Sequence, residues 1–75
     1  MNRTMLAEHL AQAERHVARG AQHIARQRRM IADLEQNGCD VAEAARWLAA
    51  LEETQRLRMA DRAWLQSELE LLLAG

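Results

Sequence analysis

The chain has 75 residues, with 10 arginines and no lysine against 11 acidic residues and 3 histidines, for a formal net charge of −1. That length holds one small domain and excludes a multidomain enzyme. Fifteen Ala and eleven Leu, with no Phe, Tyr or Pro and only three Gly, specify helix; the β-branched and aromatic residues that strands favour are too few to build a sheet.

A first helix is predicted from about residue 4 to 36. Its heptads read without a gap as Leu10–His16, Val17–His23, Ile24–Met30 and Ile31–Asn37. With Leu10, Val17, Ile24 and Ile31 at position a, Leu6, Ala13, Gly20, Gln27 and Leu34 fall at d, and His9, His16, His23 and Met30 at g. The apolar seam is strong at a and weak at d. Small d residues let another helix approach closely, so Ala13 and Gly20 are expected to receive bulk from across the interface.

The only dense cluster of helix-stopping residues, Asn37-Gly38-Cys39-Asp40, lies near the midpoint. Gly38 suits the left-handed residue that ends a helix, and Asp40 followed by Glu43 reads as an acidic capping box that starts the next one. Cys39 would then pack on Ala44 as a hydrophobic staple. With a turn of residues 37–40, the second helix runs from about 41 to 73. At 1.5 Å per residue each helix is roughly 50 Å long, and so short a loop makes them antiparallel.

The second helix has its inward stripe at Val41, Ala44, Leu48, Leu51, Gln55, Arg58, Arg62, Leu65, Leu69 and Leu72, apolar at both ends and polar in the middle. Antiparallel partners have numbers summing to roughly 75, which places Gly20 opposite Gln55. The predicted hairpin seam is Leu10, Val17, Ile24, Ile31, Leu34, Leu48, Leu51, Leu65 and Leu69. A second stripe, Ala50, Leu57, Trp64 and Leu71, recurs every seven residues on nearly the opposite side of the helix from the inward stripe, with Trp47 elsewhere around it. Two helices cannot cover both faces, and burying large apolar side chains at roughly 1.5 to 3 kcal/mol each favours association. The expected architecture is therefore an all-α antiparallel hairpin over residues 1–75, coiled-coil-like, dimerising into a four-helix bundle through Trp47, Leu57, Trp64 and Leu71.

Chemistry finds little support in the residues. His9, His16 and His23 stand about 10.5 Å apart along one helix, too far for one helix to chelate an ion, and no Glu-x-x-His pattern accompanies them. No metal or cofactor is expected. Thr4, Thr54 and Ser67 are the only hydroxyls, none with a histidine within a helical turn, and no phosphate-cradling glycine loop can be built. An enzyme is not expected.

Arg15, Arg19, Arg26, Arg28 and Arg29 form the strongest charged feature, with no acid between them. Residues 1–39 carry a net +2 and residues 40–75 a net −3, so mutual attraction of the two helices accounts for the basic run. Phosphate contact by these five arginines, as in a nucleic-acid-associated protein, is the alternative. Glu8 and His9 interrupt any apolar leader in the first ten residues, no run approaches the roughly 20 apolar residues of a membrane span, and a single cysteine forms no internal disulfide. A cytoplasmic location is expected. The expected partner is another copy of the chain, in a dimer or higher oligomer, or another helical protein; neither nucleic acid nor a membrane is expected.

The run Leu10-Ala-Gln-Ala-Glu-Arg-His-Val-Ala-Arg-Gly-Ala-Gln-His-Ile-Ala-Arg-Gln-Arg, with Ile31-Ala-Asp-Leu-Glu, the Asn37–Asp40 turn, Leu51-Glu-Glu-Thr-Gln and Ala60-Asp-Arg, resembles a group of short, uncharacterised bacterial helical-hairpin proteins. The resemblance covers most of the chain. It implies a stand-alone hairpin with no known activity and transfers no functional residue.

Overall fold

Asn2 starts the first helix: its side-chain oxygen accepts a hydrogen bond of 2.8 Å from the Met5 amide, pairing one of the donors that a helix start leaves free. In the computed structural model, which describes residues 1–75, helix α1 spans Arg3–Gln36 and helix α2 spans Ala42–Ala74. Both differ from the sequence expectation by one residue at the ends that moved. The two helices pack antiparallel into a rod of 58 × 15 × 14 Å. Its radius of gyration is 17.0 Å, against about 11 Å for a compact domain of this length.

Gly38 takes φ +70°, the left-handed conformation that the turn requires. The Cys39 amide donates to the Leu34 carbonyl at 2.9 Å and the Gly38 amide to Glu35 at 3.1 Å, which satisfies the last carbonyls of α1. The expected capping box does not form. Val41 occupies the cap of α2 without a side-chain bond, and Asp40 reaches past it to accept from the Ala42 amide at 2.9 Å. The predicted Cys39 staple is also corrected: Cys39 is exposed, with its thiol facing the Asn37 carbonyl. With the left-handed turn at Gly38, the Cys39 side chain faces solvent rather than Ala44.

The seam has its tightest part at the end away from the turn. Leu6, Ala13 and Leu65 are buried there, with Leu10 and Leu69 packed against them. Val17 and Ile24 are buried near the middle, while Ile31, Leu34, Leu48 and Leu51 are half-buried toward the turn. All nine predicted seam residues are buried or half-buried. Leu72 and Arg58, drawn inward by the sequence stripe, are exposed. The d positions expected to be weak are as covered as the a positions: Leu6, Ala13, Gly20 and Gln27 are all buried.

The reason is a reciprocal pair of glutamines. Gln27 on α1 donates its amide to the Ala44 carbonyl of α2 at 3.0 Å, and Gln55 on α2 donates to the Val17 carbonyl of α1 at 2.8 Å. Each side chain crosses the seam to the other helix backbone, and each is buried. Bonds that reach fixed carbonyls set the register as well as holding it, because a slip along the axis leaves two buried amides without partners.

Gly20 makes room for Gln55. A Cβ at position 20 would overlap Gln55 Oε1 and lie 2.9 Å from Cδ, and that oxygen is buried without a partner. Turning the amide over would set oxygen against the Val17 carbonyl, so the donor must point that way. Glycine inside a helix costs about 0.5 to 1 kcal/mol relative to alanine. Gly20→Ala alone is expected to gain nothing, because the methyl drives Gln55 off Val17 and forfeits a bond of about 1 kcal/mol. In a Gln55→Ala background the same change is expected to stabilise by about 1 kcal/mol. Urea denaturation followed by circular dichroism checks this; equal effects in the two backgrounds would remove the coupling.

Candidate functional site

Trp47, Leu57, Trp64 and Leu71 are 58%, 65%, 53% and 68% exposed, whereas Leu48 and Leu65, one residue further along, are half-buried and buried. On α2 the spacing Trp47, Ala50, Thr54, Leu57, Asp61, Trp64, Glu68, Leu71 alternates three and four residues, so α2 carries a second helical stripe beside the one it spends on α1. The accessible surface is 5599 Å², about 900 Å² more than the roughly 4,700 Å² of a compact monomer of this mass.

The expectation that this stripe lies nearly opposite the seam is corrected at its tryptophans, since Trp47 and Trp64 border α1. His9, His16 and Gln12 share one shallow hollow with Asp61 and Trp64, floored by Ala13 and Leu65. Further along the same side, His23, Arg26 and Met30 share another with Trp47 and Leu51. The opposite long side holds Ile24, Arg28, Glu52, Arg56 and Met59, with Arg28 paired to Glu52 at 2.9 Å. One side is therefore aromatic and imidazole-bearing and the other is laced by an ion pair. In an antiparallel pair the two g columns face the same way, so heptad lettering of the second helix would have brought Trp47 and Asp61 beside the histidines.

The three histidines are exposed. No group of three or more His, Cys, Asp or Glu side chains converges as a metal site would need. Thr4, Thr54 and Ser67 are all exposed. Of the five arginines singled out, Arg26 and Arg29 line one hollow with Gln22 and Ala25, while Arg28 turns to the other side and bonds Glu52. All five are exposed; Arg15, Arg19, Arg26 and Arg29 share the outer stripe of α1 at spacings of four, seven and three, and Arg28 alone lies apart. Neither helix is long and apolar enough to cross a membrane.

No protein-family model, curated protein or solved structure matches the chain.

Proposed function

We propose that the chain is a non-enzymatic association module: a helical hairpin that joins a second copy through its exposed apolar stripe and serves as a small scaffold for helical partners. The observation that carries this reading is the exposure of Trp47, Leu57, Trp64 and Leu71 on one helix whose other stripe is already used. The excess surface of about 900 Å² is close to the roughly 800 Å² that each partner gives up in a standard interface. Dimerisation of two such hairpins yields a four-helix bundle, in which stripes left half covered by two helices find a common core.

Light scattering on the purified chain tests the reading. The expected mass is twice 8.6 kDa, unchanged between about 0.1 and 1 M salt because burial of apolar surface is not screened. A chain that stays at the monomer mass at high concentration overturns it. So does retention on DNA at physiological salt that is lost when Arg26, Arg28 and Arg29 are replaced, since phosphate binding falls steeply with salt.

A further inference from the structure

The exposed stripe of α2 is symmetric in its spacing and carries a tryptophan at each flank, although the residues between them are not mirrored. A point midway between Gln55 and Arg56 is equally far from Trp47 and Trp64, from Ala50 and Asp61, and from Thr54 and Leu57. The g column of α1 has its own centre of symmetry, midway between Arg19 and Gly20, which is equally far from His16 and His23 and from His9 and Met30. These two centres sit at the same height on the rod, because Gly20 packs directly on Gln55. One two-fold axis crossing the aromatic side at that height therefore satisfies both helices at once.

We propose that a second copy docks on the side bearing the histidines and tryptophans about this axis, with its turn at the opposite end of the bundle and with Trp47 of each copy against Trp64 of the other. This inference rests on the self-association reading and gives it a face and an orientation. In the arrangement α2 lies antiparallel to its own symmetry mate, so Leu57 meets Thr54 beside the axis and the tryptophans close both flanks. Isologous contacts of this kind are what identical chains form. The alternative, with both turns at one end, lays each α2 over the partner's α1. Trp64 would then face the level of His9 and Gln12, and Trp47 the level of Arg26 and Met30, so each indole would cover a mixed polar surface. The mirrored arrangement pairs indole with indole. Its unfavourable contacts are Ala50 opposite Asp61 between the tryptophans, and Glu43 opposite Glu68 and Leu71 opposite Asp40 outside them.

The lone Cys39, exposed in the turn, takes a thiol-specific spin label without further substitution. With turns at opposite ends, dipolar spectroscopy on the labelled chain is expected to give a separation of about 55 to 60 Å, from 1.5 Å per residue of helix on each side of the axis. A separation below about 25 Å in a chain of dimer mass overturns the orientation and leaves self-association standing. A monomer mass removes both. Trp47→Ala and Trp64→Ala are each expected to raise the dimer dissociation constant at least about 100-fold, while Met59→Ala, on the other side, leaves it within about threefold. The reverse ranking overturns the choice of face.

Discussion

Leu65→Ala is expected to lower the stability of the hairpin by about 3 kcal/mol, measured by urea denaturation and circular dichroism. Leu65 is 5% exposed and packs with Leu6 and Ala13 in the best-covered part of the seam. Only 8 of the 75 residues are buried, and none below 2% exposure, so the chain has few other side chains to take up the loss. A cavity here also lies beside small Ala13, which cannot move to fill it. Because small proteins hold only a few kcal/mol of net stability, the substitution should leave a large unfolded fraction at 25 °C. Unchanged stability would mean that the seam between α1 and α2 is not what holds the rod together.

Trp64→Arg, at the preceding position, is expected to do something different. Trp64 is 53% exposed in the single chain, so the hairpin loses little packing within itself when the indole is replaced. In the proposed dimer the indole is covered in both copies. Losing about 2 to 3 kcal/mol per side chain twice, and placing a guanidinium in each position, should weaken association by three to four orders of magnitude. The expected result is a halved mass in light scattering, with helical content largely kept. A parent of monomer mass, or a variant of unchanged mass, would sink the association reading. Together the two adjacent positions separate the seam that folds the chain from the stripe that joins it to another.

The heptads of α1 and the glycine at the turn were legible because both depend on local patterns. Apolar residues at a and d repeat along one helix, and Gly38 is needed wherever φ must be positive. The cap of α2 was not legible to one residue. Asp40 can serve its own cap or reach the amide two residues on, and a small rotation at Val41 decides between them. Gln27 and Gln55 read as weak seam positions, because a sequence shows that an amide is present on the inward face but not whether it meets a carbonyl. Gly20 opposite Gln55 was recoverable from antiparallel numbering alone. That the glycine is there to admit an amide oxygen was not.

The sequence alone determined two long helices, the left-handed turn joining them and the surplus apolar stripe on the second, since helical period and glycine act over a few residues at a time. Tertiary structure decided how far that stripe leans toward α1, and so brought Trp64 beside His9 and His16 as well as Trp47 beside His23. It also decided that buried glutamines would tie each helix to the backbone of the other. Both outcomes depend on how far each helix is rotated about its own axis, and that rotation is fixed only when the side chains of the two interlock.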